Sequence, residues 1–433
     1  MSKVTIIMPS FNVCEYIEEA LNSAREQTLD DIEIICVDAG STDGTWKSVQ
    51  KAANEDVRII AIQSPIKSYG YQVNMGIDQA TSEYIAILET DDFVDLNIYE
   101  KLYKTAIADD LDFVKCDYST YTTKDGTRCF IERKVSADRF FYDNTFIPAE
   151  NPQVVVDDWY LWNGIYKTRF IRDNGIRFSE TPGAAFQDIG FLHKVAINAH
   201  KGRFIEGSLY KYCVDRPGAS SNSKKVLAFI RREYGVLLDS ASEHTDKIEK
   251  DMLYRRMARS FVSACIDSSN EVLVDKDSSD ICKWFQRCLS DAERWGCISE
   301  ENLPVALRDG YRHLMDPAVG YISYRRIKEF DLREFLGKDR TIIIFGCGKY
   351  GREALGFLQK KGYQVTGFMD NSENLWGKNI ENIRVFSPEE VKSFPEDTRY
   401  VVANEKYADE ITQQLKTYDN NILTYKYVPE RND

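Results

Sequence analysis

The feature that most restricts what this chain can fold into is a set of short apolar runs, each ending abruptly on polar residues. Val4 to Met8 ends in Pro9-Ser10-Phe11-Asn12, Ile32 to Val37 ends in Asp38-Ala39-Gly40-Ser41-Thr42-Asp43-Gly44-Thr45, and Tyr84 to Leu88 ends in Glu89-Thr90-Asp91-Asp92. Runs of this length without polar alternation fit strands buried on both faces. Between them the spacing predicts helices over Val13 to Gln27, Trp46 to Ala53 and Asn74 to Ala80, and a further strand over Arg58 to Gln63. Strands alternating with helices imply a doubly wound parallel sheet. Such sheets bind ligands at the carboxyl ends of their strands, so Asp38, Glu89, Asp91 and Asp92 are expected along one edge.

Converging carboxylates suit a divalent cation. Oxygen-only ligation favours Mg²⁺ or Mn²⁺ shared with a substrate's phosphates, with Asp91 and Asp92 as the metal ligands. The competing reading is an acidic turn in which Asp91 or Asp92 caps the next helix. The net charge of −13 argues against nucleic acid as a partner. A phosphate ligand is still compatible with that charge, because a metal reverses its sign locally. The ten cysteines are scattered, with no Cys-x-x-Cys pair, which fits a reduced, cytoplasmic protein. The amino terminus is apolar too briefly for a signal peptide, and no run approaches the roughly 20 apolar residues of a membrane span. The expectation is a soluble or peripherally membrane-associated protein.

The segments Val4 to Asn12, Val37 to Thr45 and Glu83 to Asp92 resemble the successive signatures of family 2 glycosyltransferases with the GT-A fold. The resemblance covers about residues 1–220. It implies a GT-A-type mixed sheet, a nucleotide-diphospho-sugar donor, and a metal bridging the donor's diphosphate. On that resemblance Pro9, Asn12, Asp38 and Asp43 belong to the donor site, with Asp38 facing the base. Asp91 matches the last carboxylate of the family's Asp-x-Asp motif, and Asp92 the acidic residue after it. Glu89 stands where an Asp is usual, and Val73 where many members have Arg. Lys67 is read either as a replacement cation near the diphosphate or as a solvated surface lysine.

Further on, Trp162-Asn163-Gly164 leads to Phe186-Gln187-Asp188. The family carries a Glu-Asp pair in a comparable block, whose Asp is the catalytic base; Asp188 matches that Asp and Gln187 replaces the Glu. A carboxylate there would take the proton of an acceptor hydroxyl. Asp188 also precedes a helical pattern, so an N-cap is the alternative. Tyr210 to Ser221 resembles the tyrosine-rich strand and basic loop that end this domain. Within it, Arg216 either touches the diphosphate or lies on a surface turn.

From Lys225 the periodicity becomes helical, and a helical segment is expected over 223–337. A third unit, 338–433, opens with strand Thr341 to Phe345 and then Gly346-Cys347-Gly348-Lys349-Tyr350-Gly351, a helix, and a strand closing on Asp370. Gly346, Gly348 and Gly351 would let a backbone approach a pyrophosphate at the helix start, with Asp370 on a ribose. The unit resembles the Rossmann-like nucleotide-sugar-binding domain of bacterial sugar acyltransferases. The expected function is transfer of a sugar, favouring a UDP-sugar donor, to a glycan or lipid-linked hydroxyl in bacterial surface polysaccharide synthesis, with inversion at the anomeric carbon. A non-catalytic nucleotide-sugar-binding protein and a redox or epimerising enzyme built on the C-terminal glycines are the alternatives.

Overall fold

A computed structural model of the chain describes residues 2–124, 126–157, 160–216, 225–242, 247–267, 276–315, 335–337, 340–403, 408–419 and 422–427. The chain divides into two compact units, Met1–Ile322 and Ser323–Asp433.

The first unit begins with the expected alternation: β1 (Val4–Ser10), α1 (Ile17–Arg25), β2 (Ile32–Asp38), α2 (Thr45–Glu55), β3 (Ile59–Gln63), α3 (Tyr69–Gln79) and β4 (Tyr84–Ile87). β2 and β4 pair parallel on either side of β1, and β3 pairs parallel with β2. The burial explains the apolar runs. Val4, Ile6 and Met8 pack into a core with Ile17 and Leu21 of α1 and Val49 of α2, while Ile7 faces Val73 and Ile77 of α3 on the other side. α3 lies close to β1 because Gly76 has no side chain; a Cβ there would fall 2.4 Å from Ile7 Cγ2.

The chain then adds β5 (Phe93–Val94), α4 (Ile98–Ala108), β6 (Phe113–Lys124), β7 (Thr127–Arg133), α5 (Phe140–Asp143), β8 (Gly164–Lys167), α6 (Thr168–Asp173), α7 (Asp188–Asn198) and β9 (Gly202–Cys213). Nine strands form one mixed sheet in the order β3-β2-β1-β4-β8-β6-β9-β5, with β7 paired to β6. β6 is irregular between Cys116 and Tyr118.

Four helices follow: α8 (Val226–Ser242), α9 (Lys247–Asp267), α10 (Lys276–Arg294) and α11 (Val305–Met315). They fall in the same compact unit as the sheet. The reason is shared burial. Ile189 of α7 lies in the core made by Leu227, Tyr234, Met257, Phe261 and Phe285, and Met252 of α9 lies in the core under the sheet. The part of the expected helical segment from 316 to 334 lies outside the described residues, as does the basic loop after Arg216. Among the described residues no helix is long and apolar enough to cross a membrane.

The second unit contains β10 (Ile342–Phe345), α12 (Lys349–Lys360), β11 (Gly367–Met369), β12 (Asn379–Ile380), β13 (Ile383–Phe386), β14 (Arg399–Val402), α13 (Ala408–Tyr418) and β15 (Leu423–Lys426). Its sheet runs β12-β13-β11-β10-β14-β15, parallel except for β12.

Candidate active site

The register of the parallel strands brings their polar ends together: Ser10 lies opposite Asp38, and the chain leaving β4 continues beside them. Asp38 is fully buried. Its carboxylate accepts hydrogen bonds from the Ser10 hydroxyl at 3.0 Å, the Gly40 and Ser41 N–H groups at 2.9 and 2.8 Å, and the Ser41 hydroxyl at 2.5 Å. Asp38 therefore shapes the loop after β2. Asn12, in the left-handed region at φ 51, joins that loop by accepting from Thr42 N–H at 2.9 Å. Asp43 accepts from the N–H and hydroxyl of Thr45 and from Cys14 N–H, fixing the start of α2. The Pro9 carbonyl accepts from the Thr90 hydroxyl at 2.9 Å and so anchors the acidic turn to the end of β1.

The three carboxylates of that turn have separate surroundings. Asp91 is partly exposed and forms an ion pair with Arg216 at 2.5 Å. Asp92, expected beside it as a metal ligand, is 2% exposed. Both its oxygens are engaged, accepting from the Tyr210 hydroxyl and the Cys213 N–H, each at 2.8 Å. Burial and the adjacent Asp91 raise its carboxyl well above the usual range, so Asp92 ties the turn to β9. Glu89 accepts from the Tyr69 hydroxyl at 2.5 Å. Burial, then the charges of Asp91 and Asp188, push its carboxyl up to about 8. The longer side chain in place of the usual Asp reaches this phenol of α3.

That mutual influence brings Asp188 into the group, although it lies about a hundred residues further along the chain. α3 accounts for the placement. Asn74 donates to the Phe178 carbonyl and accepts from its N–H at 3.1 and 3.0 Å. Tyr69 N–H donates to Gly183 O, and Gly183 N–H to Lys67 O, both at 2.9 Å. Gly70 is required here, since a Cβ would lie 2.0 Å from the Ser179 carbonyl. Val73 is a core residue on the opposite side of α3 and supplies nothing to the site. Lys67 lies over the Phe11 ring at 4.4 Å.

Gln187 is the N-cap residue of α7 and Asp188 the first helical one. The Gln187 amide accepts from Ala185 N–H at 2.7 Å and donates to the Gly183 carbonyl at 3.0 Å. A Glu could not donate, which gives the amide a structural reason at this position. Phe186 adopts φ 63, a strained conformation for a non-glycine residue immediately before the site. Burial raises the Asp188 carboxyl, opposed by the charge of Arg256 and by the N–H groups at the helix start.

Glu89, Asp91, Asp188, Tyr69 and Arg216 thus share one neighbourhood at the carboxyl edge of a mixed sheet. Tyr69 and Arg256 carried no sequence signal, and Tyr210 only that of a tyrosine-rich strand: each matters through a partner distant in the chain. Among the described residues no group of three or more His, Cys, Asp or Glu is arranged to hold a metal ion.

Comparison with known proteins accords with this geometry. The family model described as glycosyl transferase family 2 matches residues 5–163. Glycosyltransferase GlyG of Streptococcus pneumoniae is 30% identical over 216 residues, covering 48% of this chain and 70% of that protein. The chain belongs to glycosyltransferase family 2. Another relative, the uncharacterized glycosyltransferase EpsJ of Bacillus subtilis, is 28% identical over 213 residues, covering 48% of this chain and 60% of EpsJ. The chain thus spans about two thirds of the length of these relatives. The fold resembles that of residues 1–349 of S. aureus TarS, solved in complex with UDP-GlcNAc, with a TM-score of 0.54 at 19% identity over 75% of this chain and 92% of that one.

Outside the family 2 region, residues 338–426 match a family described as C2185-like, N-terminal. There Gly346 has φ 96, and a Cβ on Gly351 would fall 1.9 Å from the Gly346 carbonyl, so both glycines are required by the turn itself. Gly348 is the N-cap residue of α12. Asp370 accepts from Cys347 N–H at 3.1 Å and Ser372 N–H at 2.9 Å, which places it beside the glycine turn with both oxygens engaged.

Proposed function

We propose that this protein transfers a sugar from a nucleotide-diphospho-sugar, a UDP-sugar favoured, to a hydroxyl of a glycan or lipid-linked acceptor in bacterial surface polysaccharide synthesis. The observation that carries the reading is the convergence of Asp188 with Glu89 and Asp91 at the strand ends of a family 2 fold. Asp188 is the general base. Its carboxylate accepts the proton as the acceptor oxygen attacks the anomeric carbon. The diphosphate leaves from the opposite face, so a single in-line displacement inverts the anomeric configuration. Arg216 is available to the departing diphosphate by exchanging its partner Asp91. The loops at Asn12, Asp38 and Asp43 form the nucleoside side of the site.

A divalent cation, Mn²⁺ or Mg²⁺, fits this donor set in a limited way. Asp91 is its protein ligand, and a single carboxylate suits an ion that takes most other ligands from phosphate and water. Asp92 is already engaged by Tyr210 and Cys213. When bound, the cation would neutralise charge on the diphosphate.

Turnover of a panel of nucleotide sugars, with and without Mn²⁺, tests the proposal on the wild type and on Asp188→Asn. Donor-dependent turnover lost by 100-fold or so in the variant, with nucleotide binding kept, is expected. Binding without turnover in the wild type would assign the protein to nucleotide-sugar binding alone.

For the C-terminal unit we propose nucleotide or nucleotide-sugar binding at the start of α12, supported by the strand, glycine turn and helix in sequence. Nucleotide titration of full-length Asp91→Asn tests it; absence of any residual site would leave docking as its role. A cytoplasmic location, at most peripheral to the membrane, is supported by the free thiols of the described cysteines.

A further inference from the structure

Arg256 lies on α9, beyond the segment matched by the family 2 model. It is 9% exposed, and its Nη1 is buried with no hydrogen-bond partner. A guanidinium stays charged and carries five donors, so leaving one of its nitrogens unpaired in the interior is costly. Groups kept at such cost cluster where a protein uses them.

Leu253 and Met257, on either side of Arg256 along α9, share a core with Ile189, the second residue of α7. This packs α9 against the helix that Asp188 opens. From α8, Arg232 donates to the Ala185 carbonyl at 3.4 Å and Glu233 accepts from the Thr181 hydroxyl at 3.3 Å, so the loop before Asp188 is held from the same side. Asp188 is the carboxylate whose charge acts on Arg256.

The other charges nearby are accounted for. Lys115 of β6 donates to the Tyr160 carbonyl and the Tyr166 hydroxyl, Arg259 donates to the Asp157 carbonyl, and His193 of α7 faces Glu249 at 3.8 Å. Glu89 and Glu233 are the nearby carboxyls, both raised in part by the charge of Asp188. The phenols of Tyr69, Tyr166 and Tyr234 are kept neutral by burial.

We infer that Arg256 is the counter-charge that positions Asp188, which makes the helices after the sheet a working part of the active site. The inference rests on the reading of Asp188 as the base.

The test uses the full-length chain and three variants. Asp188→Asn should abolish turnover at every pH; if it does not, the base reading itself fails, and this inference with it. With that loss in hand, Arg256→Met removes the charge and the unpaired Nη1 while keeping the apolar bulk, so its melting temperature should stay close to that of the wild type. Its kcat should fall in acid, with the acid limb of the profile moved up by about one pH unit and recovery at high pH. Arg256→Lys should return the limb towards its original position. An unchanged profile in Arg256→Met overturns the inference. So does an equal loss at all pH values accompanied by a lower melting temperature, which would mark a structural residue, or a rise in donor KM alone, which would mark a binding one.

Discussion

Arg216 and Asp91 stand 125 residues apart in sequence and pair at 2.5 Å, joining the chain after β9 to the acidic turn after β4. In the proposed reading the guanidinium occupies the carboxylate that a donor-bound cation would use. Arg216→Ala should therefore free Asp91, so that Mn²⁺ alone binds several-fold tighter by calorimetry, while kcat/KM for the donor falls by roughly 10- to 100-fold as the diphosphate loses its cation. Tighter metal binding with unchanged turnover would confine Arg216 to a resting-state role.

Asp92 makes a contrasting case. Its two hydrogen bonds are buried, so Asp92→Ala should cost about 2–3 kcal/mol of stability by stranding the Tyr210 hydroxyl and Cys213 N–H. The Mn²⁺ dependence of nucleotide binding should persist in this variant and disappear in Asp91→Asn. Loss of the metal response in a folded Asp92 variant would make it a ligand after all.

Glu89 links stability to pH. Its carboxyl is raised to about 8, so on raising pH the unfolded chain ionises first, and the stability present below the ordinary carboxylate value is lost progressively up to about pH 8. Glu89→Gln should be near neutral at pH 4 and stabilising by about 1–3 kcal/mol at pH 8. Urea midpoints at the two pH values check this; equal effects at both would mean that the carboxyl is not raised.

Gly70 sets a steric condition. Because a methyl group at this position would stand 2.0 Å from the Ser179 carbonyl, Gly70→Ala should cost about 2–4 kcal/mol. It should also lower kcat by shifting the segment that leads to Asp188. An unchanged melting temperature would show that the segment has room to move.

The first half of the sheet was legible because β1, β2 and β4 are buried on both faces, which leaves unbroken apolar runs that end on polar residues. The glycine turn of the second unit was legible for a similar local reason. α3 begins earlier than its spacing suggested, since Gly70 interrupts the pattern and Ser68 provides the N-cap. Composition cannot tell which of two adjacent carboxylates turns inward; Tyr210 engages Asp92 from the far end of the domain. The later helices read as a helical segment packed on the sheet domain, but their apolar stripes carry no mark of Ile189, the residue of α7 that shares their core. Arg256 was hidden for the same reason, as one basic residue in a mixed-charge helix.

The stitching of Lys67, Tyr69, Gly70 and Asn74 to the stretch from Phe178 to Gly183 also governs how this enzyme can be recombined. Chimeras that exchange the second half of the sheet domain with a relative, in search of a new acceptor, would separate two segments that fit only each other. Residues 67–74 should be transplanted together with 178–188, as one cassette.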